Sequence, residues 1–336
     1  MTTTVHAYAV HEAGGRLEPF EYELGALAPN EVDLNVKSCG ICFSDVSMID
    51  NAWGFSPYPM VPGHEIIGEV RAVGEQVTHL AVGDIVGVGW HAGYCLMCAQ
   101  CMSGDHHMCS HAVSTFIGRH GGYADMVRAQ AAAVFKLPDG VDARTAGPLM
   151  CGGITVFSPF LQFGISPTAN VGVIGIGGLG HLALKFAQAW GCHITAFTST
   201  EAKQQQALEM GAHEVLNSRD TEALARATDR FDLLLSTVNA PLDWNAFIGT
   251  LKRRGRLHVL GAVMEPLSIP TSSLMMAQRS VSSSPAGSPS DITKMLDFVG
   301  RHGIAPMTEH FSFDQINDAI EHLRGGKARY RVVLEH

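Results

Sequence analysis

The segment Asn170-Val-Gly-Val-Ile174, followed by Gly175-Ile-Gly177-Gly178-Leu179-Gly180, decides the fold of the second half of the chain. The first five residues predict a strand, and the apolar run from His181 to Trp190 predicts a helix directly after the glycines. Glycines placed between a strand and a helix are typical of a dinucleotide-binding turn, where they permit a tight turn and close approach of a pyrophosphate. We therefore predict that residues 175, 177, 178, 179 and 180 bind a dinucleotide; a purely structural turn is the alternative.

The rest of this half alternates between strand patterns and helix patterns. Helices are clearest at 202–210 and 244–251, and further strands are predicted at 193–198, 214–216, 231–236, 256–260 and 280–284. The alternation predicts an α/β fold with a doubly wound parallel sheet, the Rossmann arrangement, over residues 154–285.

The preceding residues are instead rich in strand patterns bounded by turn signals. Strands are predicted at 5–10, 31–36, 66–73 and 84–88, a helix start at 142–148, and a helix at 154–163. Towards the end of the chain, helices are predicted from 288 to about 301 and at 316–323, before a last strand within 325–334. We expect this strand to rejoin the first domain, so that 1–153 and 286–336 form one β-rich domain.

Four cysteines within fifteen residues form the most specific motif of the sequence. Their spacing is Cys95-x-x-Cys98-x-x-Cys101-x₇-Cys109, in a loop rich in Gly, Ser and Asp that we place at about 92–112. Four thiolates complete a tetrahedral zinc ion and leave no open position, which predicts a structural site. Disulfides and an iron–sulfur cluster are the alternatives, and zinc is favoured because a second motif also suits zinc.

That second motif combines Cys39-Gly-Ile-Cys42 with Pro62-Gly-His64-Glu65. Cys42 and His64 offer a thiolate and an imidazole, which suit tetrahedral zinc, and a third ligand must come from elsewhere. Cys151 is the remaining cysteine that lies beside a glycine pair. Asp45 can accept a hydrogen bond from the free ring N–H of a metal-bound His64. The alternative is a set of buried structural residues, since cysteine is among the most buried residue types.

Length and composition limit the remaining possibilities. A chain of 336 residues suggests two domains, and 46% hydrophobic residues with 16% charged residues suffice for sizeable cores. The net charge of −9 argues against nucleic acid and anionic membrane surfaces as partners. The longest apolar run, 171–184, contains five glycines, which argues against a membrane span. Because residues 1–6 lack signal-peptide features and the eight cysteines show metal-like spacing, we expect a cytoplasmic protein.

The end of the second α/β strand predicts which dinucleotide is bound. An Asp or Glu at this position bonds the adenosine 2′-hydroxyl of NAD and would repel a 2′-phosphate. Here the strand ends in Thr198, Ser199 and Thr200, and Lys203 follows at the start of the next helix. Hydroxyls and an ammonium favour a phosphate, so we predict NADP(H). Glu201 is the alternative acidic residue, if the strand ends one or two residues later.

Taken together, these motifs resemble those of zinc-containing alcohol dehydrogenases in the medium-chain dehydrogenase/reductase superfamily, and within it the cinnamyl alcohol dehydrogenase-like group. The resemblance covers nearly the full chain. It implies a GroES-like catalytic domain, a homodimer, and hydride transfer between NADP(H) and a primary alcohol or aldehyde, aromatic or broad-range. It rests on Cys39-Gly-Ile-Cys42, Val61-Pro-Gly-His-Glu65, the four-cysteine loop, Gly175-Ile-Gly-Gly-Leu-Gly-His181 and Tyr330-Arg-Val-Val333.

Roles for individual residues follow from the same resemblance, which implies two zinc ions per chain. Cys42, His64 and Cys151 match the Cys₂His ligand set known for the catalytic zinc of alcohol dehydrogenase, with Glu65 as a transient ligand. Ser44 matches the hydroxyl that bonds the substrate oxygen, and Asp45 supports His64. The four-cysteine loop matches the structural zinc site, and the matching basic residue that reaches the cofactor phosphates is Arg331.

Aromatic residues predict an apolar substrate pocket, for which Trp53, Trp90 and His91 are the candidates. Three departures from the family pattern leave the proton relay and part of the cofactor pocket open: Phe43, Ser47, and Ser282-Ser-Ser-Pro-Ala286. A polyol dehydrogenase of the same superfamily and a cofactor-binding sensor without turnover are the alternative functions.

Overall fold

The computed structural model describes residues 2–336, which form two compact units. The first unit contains the residues up to Ile154 together with Ala286–His336, and the second contains Thr155–Pro285.

The first unit begins with short strands joined by turns. Its elements are β1 (Thr3–Ala9), β2 (Glu18–Leu24), β3 (Glu31–Ile41), α1 (Phe43–Ile49), β4 (Glu65–Val73), β5 (Ile85–Val88), β6 (His91–Gly93), α2 (Ala99–Met102), β7 (Val113–Ser114), β8 (Met126–Gln130) and β9 (Phe135–Lys136). Residues Gly147–Met150 form a 3₁₀ turn, after which α3 (Gly152–Gln162) leads into the second unit.

The second unit alternates strictly between strands and helices. Its elements are β10 (Asn170–Ile174), α4 (Gly180–Trp190), β11 (His193–Phe197), α5 (Glu201–Glu209), β12 (Glu214–Leu216), α6 (Thr221–Arg226), β13 (Phe231–Ser236), α7 (Trp244–Thr250), β14 (Leu251–Val259), α8 (Thr271–Met275) and β15 (Ser280–Ser283). The chain returns to the first unit with α9 (Pro289–His302), β16 (Thr308–Ser312), α10 (Ile316–Arg324) and β17 (Arg331–Glu335).

The strands of the second unit form one six-stranded sheet in the order β12-β11-β10-β13-β14-β15, and every neighbouring pair is parallel. Buried aromatic side chains, among them Phe197, Phe231 and Phe247, pack one face of this sheet. The strand order reverses at β10, because β11 pairs on one side of it and β13 on the other. Ligands of doubly wound sheets bind at this reversal, outside the carboxyl ends of the strands, and here the glycine-rich segment follows β10 directly.

A seven-stranded, largely antiparallel sheet organises the first unit. Its order is β16-β17-β3-β4-β5-β9, with β8 also paired to β3. The central strand β3 carries Cys39 and Gly40 at its carboxyl end, directly before Cys42 and α1. Strand β17 pairs with this end of β3, Leu334 lying opposite Cys39, so the last strand of the chain lies beside the residues of the second metal motif.

The predicted fold class is confirmed: the protein is α/β, with a Rossmann-type parallel sheet in the second unit and a β-rich first unit. Two of the longer strands were missed: β2, although its Phe20, Tyr22 and Leu24 alternate with glutamates, and β16, which lacks a clear pattern. The helix start expected at 142–148 is wrong, since a turn leads there into the 3₁₀ turn Gly147–Met150. Pro148 at the second position of that turn has no N–H to extend a longer helix. Among residues 2–336, none of the helices is both long and apolar enough to cross a membrane.

Candidate active site and metal centres

Asp45 organises the first metal motif from the start of α1. Its carboxylate accepts hydrogen bonds from the backbone N–H of Cys42 at 2.9 Å and of Gly63 at 3.1 Å, and it lies 2.9 Å from Nδ1 of His64. Asp45 and His64 are both fully buried. Burial alone would lower the pKa of His64, but the Asp45 carboxylate outweighs it and raises that pKa well above its ordinary value. Nδ1 therefore carries a proton and Nε2 is directed to the neighbouring thiols.

Four ligand groups meet at this point. One donor atom from each of Cys42, His64, Glu65 and Cys151 lies within 4.8 Å of all the others. The Cys151 sulfur is 3.2 Å from Nε2 of His64 and 3.9 Å from the Cys42 sulfur. The hydrogen bond from the Cys151 thiol lowers the pKa of Cys42 well below its ordinary value, so this pair readily supplies a thiolate. Two sulfurs and one imidazole nitrogen converging in a buried site are the donor set that zinc prefers.

Glu65 is the fourth member of this group and is fully buried. One carboxylate oxygen pairs with the guanidinium of Arg331, while the other, Oε2, has no hydrogen-bond partner within residues 2–336. Burial raises the pKa of Glu65, and the positive charge of Arg331 opposes that rise. A buried carboxylate oxygen without a partner is costly unless a cation or donor reaches it, so it fits the expectation of a transient metal ligand.

Arg331 therefore lies beside the metal cluster. It is 5% exposed and is held at the start of β17, next to the end of β3. Its Nε has no hydrogen-bond partner among the described residues. The expected contact between Arg331 and cofactor phosphates stays a prediction, and the ion pair with Glu65 is a second role that the sequence did not indicate.

Aromatic rings cover one side of the cluster. The Trp90 ring meets His64 edge-on at 4.9 Å between centroids, and Trp53 lies 6.4 Å from Trp90. The buried Phe116 ring stacks on His64 at 5.5 Å, a contact that no local sequence signal indicated. His91 is placed elsewhere: its ring packs against Tyr94 at 5.4 Å, beside the four-cysteine loop. Trp53 and Trp90, which are half-buried, thus remain candidates for a substrate pocket, and the buried Phe116 supports the His64 ring from behind.

Ser44 is the second residue of α1, two positions after Cys42, and is half-buried. Its neighbour Phe43 is 50% exposed, and Ser47 lies one turn further along the helix. Ser44 therefore lies in the same first turn of α1 as Asp45, and its role in bonding a substrate oxygen stays a prediction.

The four-cysteine loop forms a second cluster. Sulfur atoms of Cys95, Cys98, Cys101 and Cys109 lie within 4.8 Å of one another. Backbone N–H groups point at the sulfurs: that of Cys98 at Cys95 (3.3 Å) and that of Cys101 at Cys98 (3.4 Å). Hydrogen bonds from Met97 and Cys98 lower the pKa of Cys95 to about 6. Such bonds stabilise thiolates, and all four cysteines are unpaired, so the loop fits a closed tetrahedral zinc site.

The glycine-rich turn has the form that a dinucleotide requires. Gly175 has a φ of 86°, which favours glycine, and a Cβ on Gly180 would overlap the carbonyl oxygen of Gly175. A Cβ on Gly177 would meet only open space, so the protein itself does not require glycine there. A pyrophosphate lying against the backbone at the start of α4 would require it.

Hydroxyls and one ammonium group gather at the carboxyl end of β11. Thr198 is buried, and its hydroxyl accepts a hydrogen bond from the Thr200 N–H at 3.2 Å; Ser199 and Thr200 are exposed. The Lys203 ammonium donates to the Ile176 carbonyl oxygen at 3.1 Å, which ties α5 to the glycine-rich turn. Glu201 is exposed in the first turn of α5. The predicted phosphate-binding side chains therefore lie at the edge of the sheet where ligands bind.

Comparison with known proteins agrees with this geometry. Residues 28–139 match the alcohol dehydrogenase GroES-like domain, and residues 178–301 match the zinc-binding dehydrogenase domain. The chain belongs to the medium-chain dehydrogenase/reductase superfamily. It is 57% identical over 332 residues, 99% of each chain, to aldehyde reductase AdhA of Synechocystis sp..

Solved dehydrogenase structures match over nearly their whole length. A cinnamyl alcohol dehydrogenase from Sorghum bicolor is 35% identical with a TM-score of 0.95, covering 99% of this chain and 98% of that one. A cinnamyl alcohol dehydrogenase from Helicobacter pylori, solved with NADP(H), is 28% identical with a TM-score of 0.91, covering 100% and 99%. The protein is thus an oxidoreductase of the alcohol dehydrogenase and aldehyde reductase class, and its second matched domain is that of the zinc-binding dehydrogenases.

Proposed function

We propose that this dehydrogenase reversibly reduces aldehydes to primary alcohols with NADPH, and that it prefers aromatic or other apolar aldehydes. The observation that supports NADP(H) is the set of neutral hydroxyls at the end of β11, with the Lys203 ammonium behind them. The half-buried rings of Trp90, which packs against His64, and of Trp53, which packs against Trp90, support an apolar substrate.

The residues of the catalytic cluster would bind the metal, orient its ligands and contact the substrate. Cys42, His64 and Cys151 would hold a zinc ion, which when bound acts as a Lewis acid on the substrate oxygen. Asp45 fixes the tautomer and orientation of His64 through their 2.9 Å contact. Ser44 would bond the substrate oxygen and pass its proton outward. The neighbouring aromatic rings exclude water, which strengthens electrostatic interactions at the reacting atoms.

A structural zinc ion in the four-cysteine loop, a homodimer and a cytoplasmic location complete the proposal. The first is supported by the converging thiols and their N–H···S bonds. The cytoplasmic location is supported by eight unpaired cysteines, six of which lie in the two clusters that suit metal.

One kinetic panel tests the reaction. Initial rates are measured for NADPH and NADH with cinnamaldehyde and benzaldehyde, and for NADP⁺ and NAD⁺ with a polyol as the hydride donor. We expect higher kcat/KM with NADPH and with the aromatic aldehydes. A clear preference for NADH would refute the cofactor assignment, and turnover of the polyol alone would identify a polyol dehydrogenase. Ser199→Asp should shift the cofactor ratio towards NADH, because it removes a donor and adds a negative charge near the phosphate.

A further inference from the structure

We propose that the first unit carries a binding site for a small aromatic carboxylate, separate from both metal clusters. The site is a cleft of about 220 Å³ lined by Tyr22, Glu23, Leu24, Arg119, His120 and Arg128. None of these residues belongs to the catalytic cluster or to the four-cysteine loop. The inference does not depend on the reaction proposed above.

Arg119 is the cation that this cleft leaves without a counter-charge. Its Nη2 donates to the backbone carbonyl of Arg128 at 2.6 Å, and no carboxylate among residues 2–336 lies within ion-pair distance of its guanidinium. Burial lowers the pKa of Arg119, although the more distant Glu31 opposes this effect. A guanidinium that is partly removed from water and has no anionic partner is stabilised when an anion binds to it.

Arg128 shows the contrasting, structural case. Its Nε and Nη2 donate to the two carboxylate oxygens of Asp33 at 2.7 and 3.0 Å, and its Nη1 donates to the Ala26 carbonyl. This guanidinium is therefore already neutralised and fixed. The carboxylate of Glu23 is also engaged, since it accepts a hydrogen bond from the Thr4 hydroxyl at 2.6 Å. Arg119 remains as the group that can receive a ligand.

The wall beside Arg119 is aromatic. The rings of Tyr22 and His120 lie 4.1 Å apart, and Phe20 packs against His120 at 5.6 Å. Burial and the nearby Arg119 lower the pKa of His120, so its imidazole is neutral near pH 7. A flat ring can pack on this wall while its carboxylate bonds Arg119 in the two-point geometry that guanidinium favours.

Binding of 4-fluorobenzoate to the zinc-loaded full-length enzyme tests the site, followed by fluorine NMR. Three proteins are compared: wild type, Arg119→Gln, and Arg16→Gln, which removes an exposed arginine outside the cleft. The Arg119→Gln variant keeps a polar side chain without the positive charge, and unchanged unfolding midpoints establish that the fold is retained. Loss of a charge-assisted hydrogen bond should weaken binding about tenfold or more in Arg119→Gln and not in Arg16→Gln.

A zinc ion can also bind the carboxylate of 4-fluorobenzoate. Because the three proteins have the same metal ligands, this binding does not contribute to the difference between them. Equal binding by wild type and Arg119→Gln would overturn the proposal. Inorganic phosphate and acetate are compared with 4-fluorobenzoate, because phosphate carries no carboxylate and neither anion carries an aromatic ring. We expect both to bind more weakly than 4-fluorobenzoate; if phosphate binds as tightly, the assignment to an aromatic carboxylate is refuted.

Discussion

His258 makes the stability of the second unit depend on pH. It lies in β14 with 0% exposure, and its two ring nitrogens contact the hydroxyls of Ser282 (2.9 Å) and Ser284 (3.0 Å). The ring edge of Phe163 closes the site at 5.1 Å. Burial, with a smaller contribution from Arg256, lowers the pKa of His258 from 6.5 to about 4. The folded protein therefore holds this imidazole neutral.

The size of the effect follows from the pKa of His258 in the folded and in the unfolded chain. Between pH 6.5 and about 4 the unfolded chain binds a proton at His258 that the folded chain does not, so stability falls as the pH falls. A tenfold difference in proton affinity corresponds to about 1.4 kcal/mol, and the loss at pH 5 relative to neutral pH is therefore about 2 kcal/mol. Well below the folded pKa of about 4, the loss in the free energy of unfolding approaches its full value of about 3 kcal/mol.

Urea unfolding of wild type and His258→Gln at neutral pH and at about pH 5 measures this contribution. The Gln amide can still bond a serine hydroxyl but does not titrate, so every other pH-dependent group contributes equally to both proteins. We expect wild type to lose about 2 kcal/mol more than the variant on acidification. Equal losses in the two proteins would mean that His258 is protonated in the folded state, and the reasoning would fail.

Further substitutions test the two metal clusters and the proton path. Cys151→Ser should abolish activity with the fold retained, whereas Cys98→Ser should mainly lower stability; zinc content and unfolding midpoints distinguish them, and full turnover in both would contradict the assignment. Gly40→Ala should lower stability by about 1–3 kcal/mol, because its Cβ would overlap the Glu65 carboxylate, and an unchanged unfolding midpoint would argue against that close contact. Ser47→His should raise the rate near neutral pH by adding an imidazole to the proton path; no gain in folded, zinc-loaded protein would show that another group already serves.

The sequence predicted those parts of the site whose residues lie close together along the chain. The glycine-rich turn depends on backbone geometry within six residues, and both its strand and its helix were found where expected. The four cysteines lie in one short loop, so their convergence needs no knowledge of the fold. Cys42 and Asp45 likewise share one helix start, where the carboxylate bonds the backbone N–H of Cys42.

What was missed depends on contacts between distant segments. Strand β16, Thr308–Ser312, has no clear apolar alternation, and its parallel pairing with β17 makes it a strand. Phe116 was not singled out, since nothing within its own segment shows that its ring stacks on His64. Tertiary pairing decides such cases, and a single sequence carries no direct record of it.

The ion pair of Arg331 with Glu65 could not be predicted from the residues around Arg331. A basic residue followed by a strand marks the position, but only the pairing of β17 with β3 brings its guanidinium to Glu65. A buried carboxylate beside two thiols raises the negative charge of the cluster, and Arg331 offsets it before any metal binds. Removing this cation would leave Glu65 buried and unpaired, a change that typically costs about 3–5 kcal/mol. The same charge that holds Glu65 in place thus tunes how strongly the cluster can attract a cation, a coupling that residue spacing alone does not reveal.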